Sequence, residues 1–449
     1  MDFKYRKIVL FAIFCSSLSF SFDITKYHIG DMIDAITSND EQYAINRLVK
    51  NEPIYYTPTD TIYDVNYTIS SYNSKFGDIV LYDLSYDDKY LNAIDYNELY
   101  IQGEIEGCHL SISDKNLFHK EDNIPLIFDQ NHTVFLEKIY NDIDLSRLKY
   151  IVLFKDKSTC NIGHIRFIKK QKPTTYLNNS HKATWVWNPS KDISITKLKD
   201  FNITKTYIQI KDGFETVSKN LKDTNITIYG LNGSPSDIYS YQHLQNDIIY
   251  LGNLKDKYPN IKGYQIDVEP YLLKNFQNDK DRIIKAYIQM LSSLSNLAHK
   301  NDLSFSVVIP FWFDNVFYKN TNLAKIVLQY ADEVVLMSYR SDLNKVIDIS
   351  KHILAMGDFS HKKVYIGIEL MPIKDEFHTI YKIVSKNSCL SLNGFQKECL
   401  GLNKIKQYTI KGSSISFYNQ YNKLKDIDKI QVPFKSFQGF VLHYYSVLP

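Results

Sequence analysis

The sequence predicts an α/β protein in which a (β/α)8 TIM barrel follows an N-terminal antiparallel β-sandwich domain. The first observation is that apolar, strand-like segments alternate with amphipathic stretches across residues 183–449. The second is that short runs of alternating polar and apolar residues, broken by turn-forming residues, fill residues 22–175. The third is the length of 449 residues, which exceeds the about 250 that such a barrel needs.

The charge balance and the aromatic content exclude two classes of protein. The 53 Lys and Arg residues are offset by 50 Asp and Glu residues, whereas a nucleic-acid surface needs clustered positive charge. The 35 Tyr and 25 Phe residues supply enough apolar surface for a sizeable core, which is not typical of a disordered chain. We therefore expect a folded protein without a nucleic-acid partner.

Residues 1–21 have the pattern of a secretory signal peptide. Three basic residues are followed by an apolar run at 8–14 and by Ser19-Phe20-Ser21, which suits a small-x-small cleavage site. The run is too short to span a membrane, and the sequence has no other uncharged apolar stretch of about 18 residues. We expect a secreted or periplasmic protein without stable membrane insertion after cleavage.

The next region, residues 22–175, contains segments such as DIVLYDLS, YIVLFKD and HIRFIKK at a spacing of about ten residues. This pattern is typical of a β-sandwich, which we interpret as a carbohydrate-binding or spacing module. A helix is predicted over residues 29–50, before the strands. The polar segment 171–182, which contains a Pro, is the predicted linker to the barrel.

Four cysteines remain outside the signal peptide: Cys108, Cys160, Cys389 and Cys399. An even number in an oxidising compartment predicts disulfides. Of the three possible pairings we favour Cys108 with Cys160 and Cys389 with Cys399, because each pair then lies within one region. A metal site would need a nearby His and closer Cys spacing, so we expect neither a metal nor another cofactor.

Eight segments of the C-terminal region have the length and apolar content of buried strands. Amphipathic stretches such as residues 279–302 lie between them, with apolar residues at steps of three and four. A doubly wound open sheet is the alternative to a barrel, but it requires a Gly-rich phosphate-binding turn that the sequence lacks. The predicted strands are 183–189, 205–210, 225–233, 261–270, 303–313, 332–340, 363–372 and 437–446.

The active site of such a barrel lies at the carboxyl ends of its strands. These ends carry polar and aromatic residues where a packed interior would have Val, Ile and Leu. Aromatic faces beside carboxylates suit sugar rings, although a single aromatic residue there is more often part of the core. The predicted substrate-binding residues are Trp185, Trp187, Asn188, Gln209, Trp312, Arg340, Glu369, His443 and Tyr445.

The predicted catalytic pair is Asp267 and Glu269, at the end of the fourth strand. Alternation along the strand directs both side chains into the barrel, with Glu269 nearer the mouth. Repulsion between the carboxylates and their burial should leave one of them protonated near neutral pH. We therefore expect Glu269 to be a general acid and Asp267 its charged, orienting neighbour; a structural carboxylate pair or a metal-ligand pair is the alternative.

Three segments resemble family 18 glycoside hydrolases, the chitinase-like (β/α)8 enzymes. GYQIDVEP (263–270) resembles their DxxDxDxE strand, LMSYR (336–340) their M-T-Y-D, and GFVLHYYS (439–446) stands where they have an aromatic floor. The resemblance implies that Glu269 protonates the glycosidic oxygen and that Asp267 orients the acetamido group of the substrate. It also implies that Tyr339 steadies the carbonyl that attacks the anomeric carbon.

Departures from that pattern leave further hypotheses open. Lys262 and Gln265 replace its first two Asp residues, so a barrel that binds glycans without cleaving them is one alternative. A retaining glycosidase that uses Glu269 and Glu369 is another, since two carboxyls about 5 Å apart suit double displacement. An adhesion or structural protein with its aromatic residues in the core is a third.

Arg340 and His443 are candidates for binding an acidic sugar, because a guanidinium matches a carboxylate with two parallel hydrogen bonds. The alternative for each is an ion pair with Glu369 or Asp267.

Overall fold

The structure is a computed structural model that describes residues 29–448 apart from 39–44, 50–54, 66–67, 75–76, 87–88, 115–123, 156–158, 170–181, 190–192, 274, 277–278, 320 and 391–395. The predicted signal peptide and residues 171–181 of the predicted linker lie outside the described residues. None of the described helices is long and apolar enough to cross a membrane.

The region before the barrel is built from short strands. Where they pair, buried residues face each other, as Leu99 faces Phe167 and Ile101 faces Ile165. Such alternation is expected when one face of an antiparallel sheet is covered. The strands are β1 (Met32–Ser38), β2 (Ile45–Val49), β3 (Tyr55–Tyr56), β4 (Ile62–Asp64), β5 (Thr68–Ser74), β6 (Gly77–Asp83), β7 (Tyr90–Leu91), β8 (Glu98–Glu104), β9 (Cys108–Ser113), β10 (Ile124–Pro125), β11 (Thr133–Phe135), β12 (Tyr150–Lys155) and β13 (Asn161–Ile168).

Two antiparallel sheets form from these strands, in the orders β10-β9-β12-β6-β5 and β11-β8-β13-β4. A disulfide joins Cys108, in β9, to Cys160, directly before β13, and so connects the two sheets. The predicted antiparallel sheets and the Cys108–Cys160 pairing are confirmed, whereas the packing of the sheets as a sandwich stays a prediction. The side chains of Cys389 and Cys399, and with them their predicted pairing, lie outside the described residues.

The eight predicted C-terminal strands form a closed parallel barrel, which confirms the predicted TIM barrel. Its strands are buried on both faces, so consecutive residues are apolar, as in Val334, Val335 and Leu336. The barrel strands are β14 (Lys182–Val186), β15 (Ile203–Gln209), β16 (Thr227–Asn232), β17 (Ile261–Ile266), β18 (Ser304–Pro310), β21 (Glu333–Met337), β22 (Lys363–Glu369) and β25 (Phe437–His443), with a small hairpin, β19 (Phe317–Tyr318) and β20 (Thr321–Asn322), after β18 and a long hairpin, β23 (Glu376–Leu390) and β24 (Gln396–Ile410), after β22.

Helices connect the first seven barrel strands. The longest buries an apolar stripe, including Ile283, Tyr287 and Leu294, against the barrel. The Asn322 side chain accepts a hydrogen bond from Lys325 N at 3.1 Å and thereby caps the helix after the small hairpin. The helices are α1 (Ile195–Asp200), α2 (Phe214–Leu221), α3 (Gln242–Leu254), α4 (Lys280–Lys300), α5 (Leu323–Tyr330) and α6 (Leu343–Ser360).

The helix predicted over residues 29–50 is wrong. β1 and β2 occupy this segment and join the long hairpin in a four-stranded sheet of the order β2-β1-β23-β24. β1 pairs with β23 along its whole length, and buried Ile33 packs with Ile383, Leu400 and Leu402. Because the partner strand lies more than 300 residues away, the local apolar spacing could not reveal this pairing.

The N-terminal region also contacts the barrel through α5 and α6. The Lys325 ammonium donates to the carbonyl oxygens of Tyr140 and Ile143, the latter at 2.8 Å. The Tyr140 ring stacks on Phe359, with 5.0 Å between centroids. These contacts hold the N-terminal region against α5 and α6 on the outside of the barrel.

The amino end of the barrel interior holds a buried ion pair. Lys205 Nζ lies 2.5 Å from Glu333 Oε2, and the Tyr207 hydroxyl donates to Glu333 Oε1 at 2.8 Å. The Lys205 ammonium also lies 4.0 Å from the ring centroid of Tyr229 and 4.6 Å from that of Tyr365. Because the charges of Lys205 and Glu333 compensate each other inside the barrel, the polar groups at this end interact with one another and not with a ligand.

Candidate active site

A cavity of about 400 Å³ opens at the carboxyl ends of the barrel strands. Strands β17, β18, β21 and β25 contribute to it, together with one residue of the insertion between β22 and β25. Its walls combine carboxyl, aromatic and basic groups. The lining residues are Asp267, Glu269, Tyr271, Pro310, Phe311, Trp312, Met337, Tyr339, Arg340, Ile415 and His443.

The two carboxyls are positioned by the extended chain after β17. Val268 is buried in the core between them, so Asp267 and Glu269 project from the opposite face of this segment. Gly233 allows the close approach of Asp267, because its φ is +152° and a Cβ there would lie 2.4 Å from the Asp267 carbonyl oxygen. Beyond Glu269, a 3-10 helix starts at Pro270, and the Tyr271 hydroxyl donates to Glu269 Oε2.

Burial raises the pKa of both carboxyls. The pKa of Asp267 is raised to about 6, an increase that the nearby His443 opposes. Burial, with a contribution from the charge of Asp267, raises the pKa of Glu269 to about 7. Asp267 Oδ1 is buried without a hydrogen-bond partner among the described residues. Near neutral pH, Glu269 can therefore donate a proton, and Asp267 Oδ1 beside it can accept a hydrogen bond.

Tyr339 faces the carboxyls from the end of β21. Burial raises the pKa of its hydroxyl well above the ordinary value, and the neighbouring acidic groups, Glu369 first and then Asp267 and Glu269, raise it further. The Tyr339 ring stacks on His443 at a centroid distance of 6.0 Å and an interplanar angle of 18°. The hydroxyl therefore stays protonated and can donate a hydrogen bond.

His443 connects the cavity to a buried carboxylate behind it. Trp187 Nε1 donates to His443 Nε2 at 3.2 Å, and His443 Nδ1 lies 2.7 Å from Glu369 Oε2. Because an indole nitrogen can only donate, this network assigns the imidazole proton to Nδ1. The other Glu369 oxygen accepts from Met371 N at 2.7 Å. Both oxygens of Glu369 therefore have hydrogen-bond partners. The contact with His443 agrees with the alternative prediction for this residue, in which it interacts with Glu369 and not with an acidic sugar.

Gln265 lies one layer below Asp267 and is fully buried. Its Oε1 accepts from Trp185 Nε1 at 2.7 Å, and its Nε2 donates to Ser306 Oγ at 2.9 Å. An amide cannot exchange a proton with Asp267 as a carboxyl could. At this position the barrel has a fixed structural hydrogen-bond network.

The outer wall of the cavity is aromatic. A 3-10 helix, Phe311–Asn315, follows β18 and carries Trp312, whose ring meets Tyr271 edge to face at 4.9 Å. The Arg340 guanidinium lies 5.2 Å from the centroid of Phe311. The apolar faces lie beside the carboxyls, which is the arrangement that binding a sugar ring requires.

No protein-family model matches the sequence, and no curated protein matches it. Among solved structures, the spore cortex-lytic enzyme SleL of Bacillus megaterium is 12% identical, with a TM-score of 0.36, over 65% of this chain and 76% of that one. A chitinase from Chromobacterium violaceum is 12% identical, with a TM-score of 0.35, over 60% and 94%. A mutant GH18 chitinase from Cycas revoluta in complex with (GlcNAc)4 has the same identity and TM-score, over 59% and 95%. At this level of similarity the protein is not assigned to a family.

The predicted site residues fall into three groups. Those that line the cavity are Asp267, Glu269, Trp312, Tyr339, Arg340 and His443. Those behind it, in contact with a lining residue or the Gln265 network, are Trp185, Trp187 and Glu369. Those that do not line it are Asn188, Gln209 and Tyr445.

Tyr445 was expected to face the pocket. Strand β25 ends at His443, and a 3-10 helix, Tyr445–Val447, turns the chain outward. The Tyr445 hydroxyl accepts a hydrogen bond from Ser194 N at 2.8 Å, and its ring lies below Lys197. The predicted strand, 437–446, extends three residues beyond the end of β25, and Tyr445 lies in the 3-10 helix that follows it.

The predicted site residues do not include five of the lining residues, Tyr271, Pro310, Phe311, Met337 and Ile415. Tyr271 follows the Glu269-Pro270 pair, and a Pro that opens a short helical turn was a usable signal. Ile415 belongs to the insertion before β25, whose place over the barrel no local pattern reveals. Among the described residues, no group of three or more potential metal ligands occurs.

Proposed function

We propose that the protein is an exported glycoside hydrolase that acts on a glycan, with Glu269 as the general acid. The supporting observation is that Glu269, with a pKa raised to about 7, lines a cavity that also contains Asp267 and an aromatic wall. A catalytic acid is most effective when its pKa is close to the working pH. A binding protein would not need such a group.

The arrangement favours a substrate-assisted reaction. Glu269 would give its proton to the glycosidic oxygen while the bond between that oxygen and the anomeric carbon breaks. The acetamido oxygen of the substrate would form a bond to the anomeric carbon in the same step, with its N–H donated to Asp267 and its oxygen steadied by the Tyr339 hydroxyl. Water would then attack the anomeric carbon, lose a proton to ionised Glu269, and release the acetamido oxygen.

The alternative in which Glu369 is the nucleophile has less support. Its two oxygens are hydrogen-bonded to His443 and to Met371 N, and it does not line the cavity. A nucleophile needs a free oxygen facing the anomeric carbon. A glycan-binding barrel without activity is favoured by one observation, the amide of Gln265 below Asp267, and turnover decides between the two.

We also propose that residues 183–449 are the catalytic unit and that residues 22–175 are a carbohydrate-binding or spacing module. The disulfide between Cys108 and Cys160 supports export, because such bonds persist in oxidising compartments. The proposed location is therefore outside the cytoplasm, secreted or periplasmic.

Replacement of Glu269 by Gln tests the proposed acid. We expect Glu269→Gln to lower turnover by roughly 10²–10⁴-fold, because the amide has no proton to transfer, and to leave binding largely intact. The measurement is a glycan-array screen that includes N-acetylglucosamine oligomers, followed by product analysis on the ligands that bind.

Glu137→Gln is the matched control, since Glu137 is exposed in the N-terminal region. Equal turnover by Glu269→Gln and the parent would refute the assignment of the acid. Tight binding by the parent without any product would instead identify a glycan-binding barrel.

A further inference from the structure

Two basic side chains, Arg340 and His443, line the cavity. Because His443 is already bound to Glu369, Arg340 is the one that remains for a ligand. One guanidinium N–H, at Nη1, donates to the Tyr339 carbonyl oxygen at 2.7 Å, which anchors the side chain. The central carbon of the guanidinium lies 5.2 Å from the centroid of the Phe311 ring. A guanidinium has five N–H donors in a planar fork, so this anchor leaves donors directed to the cavity.

In the part of the chain that the structure describes, no carboxylate lies within ion-pair distance of Arg340. Two buried cations of the barrel strands have acidic partners, Lys205 with Glu333 and Lys182 with Asp428 at 2.8 Å. Burial lowers the pKa of Arg340, which reflects the loss of hydration around its charge. The protein therefore keeps a partly desolvated positive charge in a binding cavity without compensating it.

The cavity already contains Asp267 and Glu269, whose charges oppose the entry of an anionic ligand. A positive group on the same wall is what such a ligand would need. An Arg suits this task better than a Lys, because its planar guanidinium can present two parallel N–H groups to a carboxylate.

We propose that Arg340 binds a carboxylate carried by a sugar next to the cleaved bond, so that the substrate is an anionic glycan. This inference rests on the proposed function, because it assigns the substrate class of the same cavity. The carboxylate has two chemical sources, a uronate, in which it is part of the sugar, and an ether-linked acid, in which it hangs from a ring oxygen.

Binding to matched ligands tests the inference in the Glu269→Gln background, where the ligand is not consumed. The ligands are a neutral N-acetylglucosamine tetramer, a hyaluronan tetramer as the uronate, and an uncross-linked peptidoglycan tetramer as the ether-linked acid. Each acidic ligand is also used with its carboxyl amidated. Calorimetry or fluorescence gives the Kd of each ligand at low and high salt.

We expect at least one acidic ligand to bind about tenfold more tightly than its amidated form. Arg340→Gln should remove this difference, while Arg340→Lys should restore only part of it. Arg282→Gln is the control for the loss of one positive charge, because Arg282 is exposed on α4. The comparison of acidic with amidated ligands is made on the Glu269→Gln protein itself, so the test stays decisive even where an Arg340 variant folds poorly.

The outcomes separate this inference from the proposed function. Equal affinity of acidic and amidated ligands, together with cleavage of the neutral tetramer, overturns the inference and leaves the hydrolase intact. Arg340-dependent binding without cleavage by the parent supports the inference and refutes the hydrolase. Absence of binding to every acidic ligand overturns the inference, and absence of any glycan binding or product overturns both.

Discussion

Asp267 and Glu269 differ in what surrounds them. Asp267 lies deeper, and its Oδ1 has no hydrogen-bond partner among the residues that the structure describes, whereas Glu269 lies at the cavity and receives a hydrogen bond from Tyr271. Burial raises the pKa of both carboxyls, and the charge of Asp267 raises that of Glu269 further. At a pH between the two pKa values, Asp267 is therefore charged and can orient the substrate, whereas Glu269 is protonated and can donate its proton.

The pH dependence of kcat/KM checks this division. Activity should be highest between about pH 6 and 7, fall below that range as Asp267 gains a proton, and fall above it as Glu269 loses one. Asp267→Asn should remove the acidic limb and lower kcat/KM roughly 10²-fold. It should also move the alkaline limb to lower pH, because the charge that raises the pKa of Glu269 is gone.

Asp267→Glu, which keeps the charge, is the comparison variant and should retain both limbs. A profile that is flat from pH 5 to 9 in the parent would contradict the assigned roles. An alkaline limb that Asp267→Asn leaves in place would contradict the coupling between the two carboxyls.

Asp267, Glu269 and Tyr339 lie one to three residues beyond the ends of β17 and β21, and all three line the cavity, as the sequence predicts. Asn188 and Tyr445 lie two residues beyond the ends of β14 and β25 but do not line it, because the path of the chain after a strand differs from one loop to the next. The link between Trp187, His443 and Glu369 joins three different strands or strand ends. Such contacts depend on tertiary register, which a one-dimensional pattern does not contain.

At the scale of elements, the barrel strands were predictable because parallel strands covered on both faces give continuous apolar runs. The long hairpin β23 and β24 was not, because its strands mix Lys, Asn and Ser with isolated apolar residues. The described side chains of its sheet include a small apolar cluster around Ile33 and Ile383. The main-chain pairing of these strands leaves little mark on the sequence.

The ion pair between β15 and β21 gives a prediction about stability. Glu333→Gln should lower the free energy of unfolding by about 3–5 kcal/mol, because it leaves the Lys205 ammonium buried without a countercharge. The double replacement Lys205→Met/Glu333→Leu should cost less than the sum of Lys205→Met and Glu333→Leu made singly, since no charge is then left unpaired. Urea denaturation of the four proteins of this double-mutant cycle gives the coupling free energy.

Exposed ion pairs provide the control. Lys257→Gln, which breaks the surface pair with Glu215, should leave the urea midpoint of unfolding nearly unchanged. Additive effects of the Lys205 and Glu333 replacements would show that the buried pair is not coupled as described.

At the scale of the whole molecule, the sequence correctly separates a region of antiparallel strands from a barrel. It does not reveal that β1 leaves the first region and joins the hairpin inserted in the second. Neither does it reveal the buried hydrogen bonds from Lys325 to the N-terminal region. Domain boundaries drawn along the chain miss connections of this kind, because they assume that neighbours in sequence fold together.

The disulfide between the two N-terminal sheets should stabilise the protein substantially. Its cysteines are 52 residues apart, and closing a loop of that length reduces the entropy of the unfolded chain by an amount worth about 4 kcal/mol. A Cys108→Ser/Cys160→Ser variant should therefore unfold at a lower urea concentration under oxidising conditions. With reductant present, the parent should approach the variant.

Cys389→Ser/Cys399→Ser serves as the comparison in the same assay, since it leaves the bond between the sheets in place. Identical urea midpoints for the parent and the Cys108→Ser/Cys160→Ser variant would contradict a stabilising role for this disulfide.

The pairing of β1 with β23 has a consequence for biosynthesis. About 340 residues separate Ser38 from its partner Glu376, and ribosomes add about 5–20 residues per second. The first strand of the sheet is therefore made roughly 20–70 s before the strand that covers it. Until then its unpaired edge is open to other chains, so a nascent chain needs a chaperone or rapid export to protect it during that interval.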